Sequence, residues 1–122
     1  MRILLDTHIF LWYLVEPERL NSDQIKLLSD QNVSKLLSIV SLWEITIKVS
    51  LGKLVIHQSI DTLVPKEIEL LPISVFHLQH LQKLPFHHRD PFDRLIVAQA
   101  IAEDLLLCSI DESIKSYPVK LI

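Results

Sequence analysis

Four carboxylates in this 122-residue chain stand where an α/β fold does its chemistry. Asp6 ends the apolar run Met1-Arg2-Ile3-Leu4-Leu5, Glu44 follows the run from Lys35 to Val40, Asp93 opens the segment from Pro91 to Glu103, and Asp111 follows the run from Leu105 to Ser109. Short apolar runs of this kind read as buried parallel strands, and in open α/β sheets ligands sit beyond the carboxyl ends of such strands. Each acid taken singly is explained as a helix cap: Glu44 completes a Ser41-x-x-Glu44 capping box, Asp93 lies three residues after Asp90, and Asp6 and Asp111 each precede a helical turn. Acids stabilise helix N-termini by about 0.3–1 kcal/mol. Caps do not explain why all four fall at one sheet edge, where like charges repel and burial raises carboxyl pKa values unless a cation neutralises them. A hard divalent ion with oxygen ligands does, and the chemistry it serves is attack of water on a phosphodiester.

The elements that must position these acids alternate along the chain. The first strand is followed by a short buried helix over Ile9 to Val15, closed by Pro17, and by a polar helix from Asn21 or Ser22 to about Asp30. The pattern then predicts a strand over Lys35 to Val40 and a helix from Ser41 to about Leu51. Gly52, the only glycine, ends that helix in the left-handed conformation. A short helix near Ser59 to Val64, a strand over Ile68 to Ile73 and a helix carrying Val75, Phe76, Leu78 and Leu81 lead to a loop at Lys83 to Arg89. Asp90-Pro91 is an N-cap carboxylate with proline in the first turn, and the segment from Phe92 to Ala102, apolar nearly all round, reads as a central helix. A fourth strand over Leu105 to Ser109, a helical turn from Asp111 to Lys115 and an edge strand over Val119 to Ile122 complete a single α/β/α domain spanning 1–122.

Composition narrows the function further. With 49% hydrophobic residues, a core large enough to need no staples is available. Cys108 has no partner for a disulfide and reads as a buried thiol in a reducing compartment, so the expected location is cytoplasmic. The apolar segment from Ile9 to Val15 is too short to span a bilayer, and no signal-peptide pattern opens the chain, so no membrane association is expected. One glycine excludes the glycine-rich phosphate cradles, and a net charge of −3 confines any nucleic-acid contact to a local basic patch.

The sequence resembles the PIN domain family, and within it the VapC-type ribonuclease toxins of type II toxin-antitoxin systems. The resemblance is carried by Leu4-Leu5-Asp6-Thr7-His8, Ser41-Leu42-Trp43-Glu44-Ile45, the run from His88 to Ala100, and Ser109-Ile110-Asp111. It implies a Rossmann-like α/β/α sandwich around a parallel sheet of four to five strands, and cleavage of RNA dependent on Mg²⁺ or Mn²⁺. Asp6, Glu44 and Asp93 match the family's three acidic positions, and Asp111 a more variable fourth. Thr7 matches a hydroxyl position that orients Asp6 or a metal-bound water, and Ser109 stands where many relatives carry threonine. Asp90 is explained as an N-cap, with metal contact as the alternative. The resemblance further implies a cognate antitoxin lying across the acidic site, and a homodimer.

An RNA substrate needs cations near the scissile phosphate. Lys48, Lys83, Arg89 and Arg94 are the candidates; Lys48 can instead pair with Glu44, and Arg94 with Asp90, at helical i,i+4 spacing. His77 and His80 read as helix surface, and with His87 and His88 they make a weak case for zinc. Trp12, Tyr13 and Trp43 read as packing residues, with base stacking as the alternative. A phosphoacceptor receiver domain would need adjacent acids after the first strand, where Thr7 follows Asp6, and a dehalogenase-like phosphatase would need an acid where His8 stands. The remaining alternative to an enzyme is a non-catalytic PIN fold used to bind nucleic acid or protein.

Overall fold

Alternation within the first strand decides how the layers form. β1 (Arg2–Leu5) sends Ile3 and Leu5 into one apolar cluster, with Ile9, Phe10, Leu37 and Ile45, and Leu4 into another, with Leu36, Ile96, Val97 and Leu107. A strand apolar on both faces must be covered on both. In the computed structural model, which describes residues 1–87 and 90–122, helices do this on either side. α1 (Thr7–Val15), α2 (Ser22–Ser29) and α3 (Ile39–Ser50) cover one face, and α4 (Val75–Lys83) and α5 (Pro91–Ala102) the other. His88 and Arg89 lie outside the described residues.

The sheet is wholly parallel, in the order β3-β2-β1-β4, with β2 at Ser34–Ser38, β3 at Ile68–Leu71 and β4 at Leu106–Cys108. The chain runs outward from β1 to β3, then crosses back to lay β4 on the other side of β1. Such a reversal opens a crevice at the carboxyl ends of the strands flanking it. Leu5 pairs with both Leu37 and Cys108, so the next residues, Asp6, Ser38 and Ser109, leave the sheet side by side. The Asp6 N–H still donates to the Cys108 carbonyl at 3.0 Å.

Several boundaries differ from the sequence expectation. The Ser41–Glu44 capping box does not form: α3 starts at Ile39, and its N-cap is Ser38, the last residue of β2, whose Oγ accepts from the Val40 N–H at 3.0 Å. The second and third strands accordingly end at Ser38 and Leu71, short of Val40 and Ile73, and the fourth at Cys108. The segment near Ser59 is a three-residue 3₁₀ turn, Ile60–Thr62, and the turn after Asp111 is 3₁₀ over Glu112–Ser116. The expected edge strand at Val119 to Ile122 reduces to one parallel bridge, Leu107 to Leu121. Gly52 does take the left-handed conformation, at φ 72°. Among the described residues no helix is long and apolar enough to cross a membrane.

Candidate active site at the carboxyl edge

Asp6 is the most deeply set of the four acids, 4% exposed at the carboxyl end of β1. It does two structural jobs. Oδ1 accepts from the Ile9 N–H at 2.8 Å and caps α1, while Oδ2 accepts from Ser109 Oγ at 2.5 Å across the crevice. Burial pushes its carboxyl above the ordinary aspartate range; the Ser109 hydroxyl, the backbone of Ile9 and Ile110, and nearby His8 pull it partly back. No Lys or Arg among the described residues pairs with it.

Ser109 links Asp6 to Asp111, because its Oγ also accepts the Asp111 N–H at 3.1 Å. Asp111, half-buried, caps the turn that follows through Oδ1, which accepts from the Ser113 N–H at 3.0 Å and Ser113 Oγ at 2.6 Å. On the other flank Thr7 Oγ1 donates to Glu44 Oε1 at 2.7 Å and lies 3.0 Å from Ser41 Oγ. Thr7, which the resemblance gives a role in orienting Asp6 or a metal-bound water, thus makes its hydrogen bond to Glu44. Glu44, 5% exposed on the second turn of α3, is held on its other oxygen by Lys48 Nζ at 3.1 Å, the i,i+4 pair expected as one of two readings.

Asp90 is the N-cap of α5, its Oδ1 accepting from the Phe92 N–H at 2.9 Å and the Asp93 N–H at 3.3 Å. Asp93 sits half-buried in the first turn of that helix. The Trp43 and Phe92 rings meet edge to face at 4.9 Å and bring the Glu44 and Asp93 backbones alongside one another. Arg94 turns back along the chain: Nη2 donates to the Leu84 carbonyl at 3.0 Å, and its guanidinium lies 4.0 Å from the Phe86 ring centre. Trp12 packs under Arg19 and Tyr13 donates to Glu67, away from the acids.

Two groups therefore form at this edge, Asp6–Ser109–Asp111 and Thr7–Glu44–Lys48, and Asp93 stands in the first turn of α5. Among the described residues no three His, Cys, Asp or Glu side chains are drawn close enough together to hold an ion. The donor chemistry nonetheless suits a hard divalent cation, since every candidate ligand is a carboxylate oxygen and the most buried one has no lysine or arginine partner among the described residues.

The sequence reading missed a second buried polar network. Gln99, fully buried on α5, accepts from Ser38 Oγ at 2.5 Å and donates from Nε2 to the Pro72 carbonyl at 3.3 Å, beside His77 Nδ1. His77, read as helix surface, is 1% exposed: Nδ1 accepts the Ser74 N–H at 3.1 Å in a capping box, leaving Nε2 to donate to Glu103 Oε1 at 2.8 Å. The available signal was Gln99 itself, an amide alone among apolar residues on a helix that must bury every face. Of the other zinc candidates, His80 bonds the Phe76 carbonyl and His87 packs on Tyr117, while His88 is not described.

A parallel sheet covered by helices on both faces, with Asp6 and Asp111 following the two strands at its order reversal, defines an α/β sandwich domain. A family model described as the PIN domain matches residues 3–120, and the chain belongs to that family. Solved structures share the fold over nearly the whole chain. VapBC2 of Rickettsia felis, bound to a DNA fragment from its promoter, is 19% identical at a TM-score of 0.77, covering 100% of this chain and 98% of that one. VapBC-1 of nontypeable Haemophilus influenzae is 17% identical at 0.71, covering 100% and 97%. A toxin-antitoxin complex from Klebsiella pneumoniae is 14% identical at 0.67, covering 98% and 95%. No curated protein matches the sequence.

Proposed function

We propose that this PIN domain is a cytoplasmic endoribonuclease that hydrolyses RNA phosphodiester bonds with Mg²⁺ or Mn²⁺. On this reading it is the toxin of a toxin-antitoxin pair, works as a homodimer, and is held inactive by a cognate antitoxin. The observation that carries the reading is Asp6, a carboxylate kept in low dielectric at the carboxyl edge of the sheet, hydrogen-bonded by neutral donors and with no lysine or arginine partner among the described residues. A fold keeps such a group when something positive is to meet it. The toxin role draws on the structural neighbours, which are VapBC and toxin-antitoxin complexes.

Asp6, Glu44, Asp93 and Asp111 would hold the ion, which would neutralise the phosphate and supply a reactive water. The chain's own part is positional. Ser109 fixes Asp6, Thr7 fixes Glu44, and Lys48 is placed to leave Glu44 for a substrate phosphate. Asp90 fixes the start of the helix that presents Asp93.

The absence of a ready three-carboxylate cluster among the described residues favours a second reading, a PIN fold used only for binding. One experiment separates the two. A pool of tRNA, rRNA fragments and mRNA is incubated with wild type and Asp93→Asn, in Mn²⁺ or Mg²⁺ and in EDTA. The nuclease gives cuts that need metal and fall at least about 10²-fold in the variant. A folded protein that neither cuts nor binds Mn²⁺ is the binding module.

A further inference from the structure

Phe86 is 85% exposed, the most exposed large apolar side chain among the described residues, and no role above uses it. Its ring is nonetheless held in place. Arg94 Nη2 donates to the Leu84 carbonyl at 3.0 Å, the His87 N–H donates to the Tyr117 hydroxyl at 3.1 Å, and the Arg94 guanidinium lies 4.0 Å from the centre of the Phe86 ring. Leu84 is buried and extended, and Pro85 locks its own φ, so the ring stands on a short stiff segment anchored at both ends. We infer that Phe86 is a stacking platform for an unpaired RNA base beside the cut, backed by Arg94; the inference rests on the ribonuclease reading.

Three observations support it. The guanidinium covers one face of the ring, and with so much of the residue exposed the other face is open. Next, the charge that accompanies the ring is positive and uncompensated. Lys48 is tied to Glu44, whereas neither Lys83, three residues before Phe86, nor Arg94 pairs with a carboxylate among the described residues. Arg94 spends one hydrogen bond on a neutral carbonyl, and its Nε is buried with no partner. On a chain of net charge −3, an open aromatic ring accompanied by free cations is matched to the base and phosphate of a nucleotide. Finally, Arg94 follows Asp93 in the first turn of α5, so a base on the ring lies at the turn that carries a candidate acid.

A protein partner fits this patch less well. A stable interface needs an apolar core within a face of about 800 Å². Apart from Pro85, Phe86 has no exposed apolar neighbour along the chain: Lys83 and His87 are polar, Leu84 is buried, and the exposed Val75, Phe76 and Leu78 lie in the first half of α4. A single ring is enough for a base. Every base has a face to stack, so the platform selects unpaired strand and not sequence, and duplex RNA, whose bases stack on one another, offers it nothing.

The test separates the platform from the reaction. A short labelled RNA of mixed sequence, single-stranded or annealed to its complement, is titrated with the protein in EDTA at low salt, and binding is read by fluorescence anisotropy. Phe86→Ala and Phe86→Leu should each weaken the single strand about five- to hundredfold, while Phe86→Trp holds it. All three variants should melt close to wild type, since the ring is exposed. Single-strand affinity unchanged in Phe86→Ala, full retention in Phe86→Leu, an equal loss on the duplex, or no binding of the single strand by wild type overturns the platform. If Phe86→Ala alters sedimentation and leaves single-strand affinity as it was, the ring belongs to a subunit interface and the inference is overturned. Cleavage of the same strand in Mn²⁺ reports on the reaction alone: binding that depends on Phe86 without cutting removes the nuclease and leaves the platform, and cutting with binding indifferent to Phe86 does the reverse.

Discussion

Two buried polar networks lie on this sheet, and they differ in who completes them. The one formed by Ser38, Gln99, His77 and Glu103 is closed by the chain itself: the buried hydroxyl, amide and imidazole groups meet protein partners along a path from the end of β2 to the end of α5. The one at the β1–β4 crevice is open. Asp6 there is buried to a similar depth, but its hydrogen-bond donors are neutral, and desolvation pushes its carboxyl upward against the pull of those donors and of nearby His8. Depth of burial is thus no guide to role. The completeness of the partners is, because a fold that needs only stability satisfies its buried groups, and one that awaits a ligand leaves a charge to be met.

The largest effect expected from this contrast is at Asp6. Asp6→Asn keeps the oxygen that caps α1 and turns an amide N–H toward Ser109 Oγ, which can accept it, while removing the charge, so cleavage falls at least about 10²-fold. Stability moves the other way. The folded-state pKa of Asp6 is raised, so its contribution to stability is present below the ordinary aspartate range and is lost as pH rises through the folded value. At neutral pH in EDTA the buried carboxyl is therefore a cost. The variant should unfold at higher temperature, by up to about 2 kcal/mol in stability, a gain that shrinks in acid and on adding Mn²⁺ to wild type. Thermal denaturation with and without Mn²⁺ checks both arms, and a variant less stable than wild type in EDTA would place Asp6 among self-completed groups.

Gln99→Leu is the converse change. It strands the buried Ser38 hydroxyl and takes a partner from the Pro72 carbonyl, which lies on an exposed residue, so with one buried polar group costing about 1–3 kcal/mol unfolding in urea should show a loss of about that size. The comparison further requires that the molecules that remain folded keep Mn²⁺ affinity. Lost affinity in a folded variant would join the two networks into one.

How much of this was legible beforehand follows the same line. β1, α5 and the acids after β1 and β4 were readable because apolar runs ending in carboxylates, and an Asp-Pro helix start, are local signals. α3 was misplaced because Ser41 and Glu44 have cap spacing, whereas the true cap, Ser38, sits at a strand end and is fixed by Gln99, 61 residues away. Ser41 and Glu44 instead face Thr7, a pairing set by how α1 packs on α3. His77 was misjudged for a similar reason: only the approach of α5 buries it. The last strand was overcounted because β4 offers three residues to pair with, and Leu107 alone engages the returning chain. Cys108 was foreseen as buried, and burial followed by the charge of Asp6 pushes its thiol up to about 12.

The finest effect expected lies at Ser109, where the two halves of the open network meet. Its hydroxyl lowers the Asp6 carboxyl against the upward push of burial. Ser109→Ala removes that counterweight, so Asp6 takes up a proton at higher pH than in wild type. The acid limb of the pH–rate profile then moves toward alkaline pH. Activity falls by about tenfold on the acidic side, as losses of a ligand's supporting hydrogen bond commonly do, and recovers as pH rises. Ser109→Thr keeps the hydroxyl and should keep the wild-type limb. The self-completed network supplies the control, since Gln99→Leu removes buried hydrogen bonds without touching Asp6 and should leave the limb where it is. A Ser109→Ala profile lowered uniformly at every pH would show that the hydroxyl acts by holding Asp111 in place through its backbone N–H, and that Asp6 is tuned by burial alone.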